Sequence, residues 1–134
     1  MPLEVVQLTK RNALIYIVDD DESVRRAMTR LLKASGFAVQ SYESVLAFLA
    51  EAPVVHSACL ILDIRMPGMS GLELVDHMAD SGMDIPTILI TAHDEKHDWH
   101  GDRPPVLACL QKPVKEKELL ELIEEGLSRQ SRSK

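Results

Sequence analysis

The sequence predicts an α/β domain in which a five-stranded parallel sheet carries helices on both faces. Three observations predict it. Short apolar runs rich in β-branched residues recur along the chain, several of them end on an acidic or polar residue, and segments of helical periodicity separate them. Strands joined through helices in one sheet pair in parallel through right-handed crossovers.

Asn12 to Val18 is continuously apolar and stops at Asp19-Asp20-Asp21, as a strand buried on both faces would. Val24, Ala27, Met28, Leu31 and Leu32 then recur at helical spacing, with Asp21 or Ser23 as N-cap and Gly36 as the stop. Phe37 to Tyr42 reads as a short second strand, and Ser44 to Glu51 as a short second helix closed by Pro53. Ser57 to Leu62 is the third strand, and Asp63 ends it. The turn Met66-Pro-Gly-Met-Ser-Gly71 leads to a third helix expected to bury Leu72, Val75 and Met78 before Gly82. Ile85 to Ile90 is the fourth strand, with Pro86 near its start, where a missing amide donor does least harm.

From Thr91 the pattern weakens. Residues 92–105 show no apolar face, and Gly101, Pro104 and Pro105 would break a helix, so a fourth helix is expected to be short or irregular. Val106 to Leu110 makes the fifth strand. Pro113 precedes a last helix with Leu119, Leu122, Ile123 and Leu127 on one face. The expected organisation is an N-terminal tail over 1–11, one domain over 12–127, and a polar tail or linker start over 128–134.

Composition narrows the function classes. With 134 residues, 46% of them apolar and 27% charged, the chain has material for one core and no second domain. Fifteen Lys and Arg against twenty-one Asp and Glu leave a formal charge of −6, which repels phosphate backbones and argues against this segment contacting nucleic acid directly. No apolar stretch reaches the roughly 18–20 residues of a membrane helix, and Met1 to Arg11 lacks the apolar centre of a signal peptide, so the expectation is a cytoplasmic protein without a membrane partner. Cys59 and Cys109 both lie in apolar runs and read as buried, reduced thiols.

Ligands of such sheets bind beyond the carboxyl ends of the strands. There the sequence sets Asp19, Asp20 and Asp21 after strand one, Asp63 after strand three, Thr91 after strand four and Lys112 after strand five. No glycine-rich phosphate loop stands at any strand end, which disfavours a nucleotide enzyme. Two carboxylates about 5 Å apart repel by roughly 3 kcal/mol at an effective dielectric near 20, so a cation must sit among Asp19, Asp20 and Asp63. All-oxygen ligands suit Mg²⁺ better than zinc. With Mg²⁺ and Lys112 beside it, a carboxylate is a capable nucleophile toward phosphorus, because cations neutralise the charge on the transferring phosphoryl oxygens. The Thr91 hydroxyl would then donate to a phosphoryl oxygen, and its movement would draw its loop inward.

These segments, Ile-Val-Asp-Asp-Asp-Glu-Ser-Val-Arg, Leu-Asp-Ile-Arg-Met-Pro-Gly-Met-Ser-Gly-Leu-Glu-Leu, Ile-Thr-Ala-His and Gln-Lys-Pro-Val, together resemble a receiver domain of a two-component response regulator, and residues 62–74 most resemble its FixJ-type branch. The resemblance spans about residues 12–127. It implies a flavodoxin-like, doubly wound sheet of order 2-1-3-4-5 and a phosphoacceptor role for Asp63, supplied by a phosphohistidine on a sensor histidine kinase. It also implies Mg²⁺ held by Asp20, Asp63 and the Arg65 carbonyl, with Asp19 contributing directly or through water. Thr91 becomes the switch hydroxyl, Lys112 the phosphate-binding lysine, and the Lys112-Pro113 bond is expected cis. The other implied partner is a second copy of the chain or an output domain beyond Lys134, controlling transcription through a separate DNA-binding domain. Autodephosphorylation aside, the chain does not read as an enzyme.

Two departures from the family pattern fall on signalling. Cys109 stands where an aromatic ring usually turns inward on activation, and Asp94 to Pro105 stands where a regular fourth helix usually lies. They motivate an alternative, a docking module read by its partner regardless of phosphate. His93, His97 and His100 invite a zinc reading, against which a polar loop is the simpler account.

Overall fold

The structure, a computed structural model, describes residues 13–52, 57–64, 70–91 and 106–132. Among these, β1 (Leu14–Val18), α1 (Glu22–Ala34), β2 (Ala38–Tyr42), α2 (Val45–Glu51), β3 (Ala58–Asp63), α3 (Gly71–Ser81), β4 (Thr87–Thr91), β5 (Val106–Gln111) and α4 (Glu116–Arg132) follow in chain order. The strands form one parallel sheet in the order β2-β1-β3-β4-β5. The expected fold class is therefore the one observed. The expected fourth helix, the three histidines of its segment, Arg65, Pro53 and Pro67-Gly68 lie outside the described residues.

Strand alternation divides the core into two layers. Leu14, Tyr16, Val18, Leu60, Leu62 and Leu89 face Val45 and Phe48 of α2 and Leu74, Val75 and Met78 of α3. Ile15, Ile17, Cys59, Ile61, Ile88 and Ile90 face Met28 and Leu32 of α1 and Leu119 and Ile123 of α4. Sandwiching the sheet between helix pairs buries β1, β3 and β4 on both faces, which is why these strands read as mostly apolar runs. β2 and β5 are edges, so most residues of β2 are exposed and most of β5 are only partly buried.

Several sequence expectations shift. Asp21, not Ser23, caps α1, its carboxylate accepting from the Ser23 and Val24 amides at 2.9 and 3.3 Å. Ala27 is exposed, because at about 100° per residue Met28 and Leu32 occupy the inward stripe. In α3 the buried set is Gly71, Leu74, Val75 and Met78, spaced i, i+3, i+4, i+7, so Leu74 replaces Leu72, which is only partly buried. Cys59 is buried as expected, but Cys109 is half-buried because β5 is an edge. β4 starts at Thr87, while Pro86, lacking an amide, joins the sheet through its carbonyl, which accepts from Leu60 at 2.8 Å. α4 continues through Arg132, so residues 128–132 are helical. No described helix is long and apolar enough to cross a membrane.

Candidate functional site

Register and alternation bring the site together. Val18 pairs with Leu62, so Asp19 and Asp63 emerge side by side at the carboxyl edge. Both continue the face that carries Ile15, Ile17, Cys59 and Ile61, and Lys112 continues the row of Leu110 on that same face. Three residues far apart in sequence thus point to one spot. The Lys112 amide donates to the Thr91 carbonyl at 2.9 Å, and the Lys112-Pro113 bond is cis, as the resemblance implied.

Lys112 Nζ lies 3.2 Å from Asp63 Oδ2, where it donates a hydrogen bond, and 3.6 Å from Asp19 Oδ2. Asp19 and Asp63 are 3% and 6% exposed, so both are held in a low-dielectric setting beside one cation. Asp20 is exposed, and one carboxylate oxygen from each of Asp19, Asp20 and Asp63 lies within 4.8 Å of the others. The loop is braced locally. The Asp19 amide donates to the Tyr42 carbonyl at 3.2 Å, and Asp19 Oδ1 accepts from the Asp21 amide at 2.9 Å.

Charge balance at this point is negative. Burial pushes the Asp19 carboxyl above its ordinary range; the Asp21 amide opposes this, the Asp63 charge adds to it, Lys112 opposes it and Asp20 adds again. Burial by itself would lower Lys112, yet the Asp63 and Asp19 carboxylates outweigh it and hold the ammonium above its usual value. One lysine against three acids leaves room for a further cation. Clustered hard oxygen donors with no imidazole or thiolate among them fit Mg²⁺ and do not fit zinc.

Thr91 reaches the same edge but not the same cluster. Alternation sets its side chain with Thr87 and Leu89, on the face opposite Asp63 and Lys112. Its hydroxyl is buried and has no hydrogen-bond partner among the described residues. An orphaned buried hydroxyl costs about 1–3 kcal/mol, so it is poised to gain from any acceptor it can reach.

Gly71 was read from sequence only as the end of a turn. Its amide donates to the Ile64 carbonyl at 2.9 Å, and a Cβ there would lie 2.5 Å from the Asp63 carbonyl oxygen and 2.9 Å from Ile64 Cα. The absent side chain lets α3 start directly against the acceptor strand. The legible signal was the neighbouring capping box, Ser70 with Glu73, whose reciprocal bonds of 3.2 and 2.9 Å fix that helix start.

A flavodoxin-like sheet with clustered carboxylates and a lysine at its carboxyl edge is the architecture of a receiver domain in two-component signalling. Residues 15–124 match the response regulator receiver domain, and the chain belongs to that family. Its relatives include the transcriptional regulatory protein FixJ of Rhizobium meliloti, 39% identical over 111 residues, a match covering 82% of this chain and 54% of that protein. The response regulator protein TmoT of Ectopseudomonas mendocina is 35% identical over 128 residues, covering 90% of this chain and 55% of TmoT. A crystal structure of FixJ-N superposes with a TM-score of 0.72 at 36% identity, covering 87% of this chain and 94% of that one. These relatives place the chain in the FixJ-type branch. It spans about half the length of the curated relatives it matches.

Proposed function

We propose that Asp63 is a phosphoacceptor, taking a phosphoryl group from the phosphohistidine of a sensor histidine kinase. The observation that carries this reading is the Asp63 carboxylate at the sheet edge, bonded to Lys112 and flanked by Asp19 and Asp20. In the transfer, an Asp63 oxygen forms the new P–O bond while the N–P bond of the donor breaks, and the imidazole leaves with the electron pair and takes up a proton. The product is an acyl phosphate on Asp63.

Asp19, Asp20 and Asp63 would hold Mg²⁺, with the Arg65 carbonyl as the further ligand that the family resemblance implies. When bound, the ion would neutralise charge on the transferring phosphoryl oxygens. Lys112 would keep its ammonium beside the acceptor and pair with the phosphoryl group once Asp63 is phosphorylated. Thr91 would then turn its hydroxyl toward a phosphoryl oxygen, and that displacement, on the opposite face from Asp63, would bias the domain between two conformations. Residues 12–127 form the receiver unit of this reading, with 1–11 a tail and 128–134 the start of a connection to an output. By analogy with its relatives, the whole protein would be a cytoplasmic transcription regulator whose output domain binds DNA, and not an enzyme in its own right.

The test is intact-mass measurement after incubation with acetyl phosphate, with and without Mg²⁺. Wild type should gain one phosphoryl group only with the metal, and Asp63→Asn none. Uptake that survives Asp63→Asn, or that ignores the metal, would overturn the reading.

A further inference from the structure

Asp20 is the one member of the acid cluster that is exposed, so burial does not hold it in place. The peptide planes on either side of it are held instead. On the C-terminal side, the Asp21 amide donates to Asp19 Oδ1 at 2.9 Å, which fixes the Asp20-Asp21 plane. On the N-terminal side, the Asp19 carbonyl accepts from Arg25 Nη1 at 2.6 Å, which fixes the Asp19-Asp20 plane. A guanidinium donor makes this a charge-assisted bond.

Arg25 is well placed to act as an anchor. It is half-buried and sits in the first turn of α1, where its own amide donates to the Asp21 carbonyl at 3.0 Å. The Asp21 cap fixes that turn in its own right. The segment from Asp19 to Arg25 is therefore a closed frame, in which the helix start reaches back to hold the end of β1.

We infer that Arg25 is a positioning residue for the divalent-cation site, holding the Asp19-Asp20 peptide so that the Asp20 carboxylate faces Asp19 and Asp63. This rests on the reading of the acid cluster as an Mg²⁺ site. Without the bond, the Asp19 carbonyl would turn to water and Asp20 would sample orientations that leave the cluster one ligand short. Partners that orient a metal ligand typically contribute 10–100-fold in affinity.

Calorimetric titration of Mg²⁺ into wild type, Arg25→Met, Arg25→Lys and Arg26→Met, with thermal unfolding of each in the absence of metal, tests this. Arg26 is the control for charge alone, since it is 72% exposed and pairs with Glu22 at 2.7 Å. Arg25→Met should weaken Mg²⁺ binding on the order of tenfold while the protein stays folded. Arg25→Lys, which keeps a cationic donor, should restore most of the affinity, and Arg26→Met should match wild type. Wild-type affinity in Arg25→Met overturns the inference. So does equal weakening in Arg25→Met and Arg26→Met, or a loss that follows thermal stability and is not recovered by lysine. If wild type itself takes up no Mg²⁺, the reading of the acid cluster falls first and the role of Arg25 with it.

Discussion

Lys112 and Asp63, 49 residues apart in the chain, are joined by a 3.2 Å hydrogen bond at the carboxyl edge of the sheet. β4 lies between their strands, so the bond reaches across it. The lysine also lies 3.6 Å from Asp19, so it contacts two of the three carboxylates for which a divalent ion would compete.

That competition gives Lys112→Met two opposite expected effects. Removing the ammonium deepens the negative potential of the cluster, so Mg²⁺ should bind a few-fold more tightly. Beryllofluoride, an anionic mimic of the phosphoryl group, should bind more weakly, because its cationic partner is gone. Calorimetry with each ligand separates the two, and a parallel change in both affinities would contradict the geometry.

Thr91→Val should stabilise the unliganded protein by about 1 kcal/mol or more, since it removes a buried hydroxyl that has no partner among the described residues while nearly conserving shape. The same variant should lose the conformational response to beryllofluoride with Mg²⁺, seen as unchanged amide hydrogen exchange in β4. A destabilised Thr91→Val would mean that the hydroxyl is already satisfied in the resting state.

Gly71→Ala tests how closely α3 must approach the acceptor. The added methyl would stand 2.5 Å from a main-chain oxygen and 2.9 Å from a main-chain carbon, neither of which can rotate away as a side chain would. The expected cost is about 3 kcal/mol or more in denaturant unfolding, with phosphoryl uptake from acetyl phosphate also slowed. A cost below about 1 kcal/mol would show that the helix start can slide.

Stability should fall on the alkaline side. Burial pushes the Cys59 thiol up to about 12, whereas an unfolded thiol ionises near pH 8.5. Between these values the unfolded chain has lost a proton that the folded protein keeps, so stability decreases as pH rises, by up to about 1.4 kcal/mol per pH unit. Tyr16, also raised by burial and then by Tyr42, adds to the slope above about pH 10. Chemical unfolding between pH 7.5 and 10.5 should show this decline in wild type, and a shallower one in Cys59→Ala. Equal slopes would remove Cys59 from the account.

Much of the architecture was legible in one dimension because burial on both sheet faces leaves a one-dimensional mark. β1, β3 and β4 are mostly apolar runs, and the acids or threonine that end them stand where the sheet meets water. Edges are less legible. β2 and β5 each have a partner on one side only, so their residues show no such uniform pattern, and Cys109 is only half-buried despite its apolar neighbours in sequence. The buried face of α3 differs from the expected one at a single leucine, because Leu72 and Leu74 are equally apolar and only packing in the folded core chooses between them.

Local periodicity and residue type encode the class of fold, the family, and which residues stand at the strand ends. Tertiary structure decided the rest. Strand register placed Asp19, Asp63 and Lys112 on one face and set Thr91 on the other, a distinction that depends on pairing partners tens of residues away. It also revealed Arg25 reaching back to the Asp19 carbonyl and the missing side chain at Gly71, because a hydrogen bond to main chain and a forbidden Cβ have no signature in residue type. Each is a distance between atoms, and distances exist only after folding.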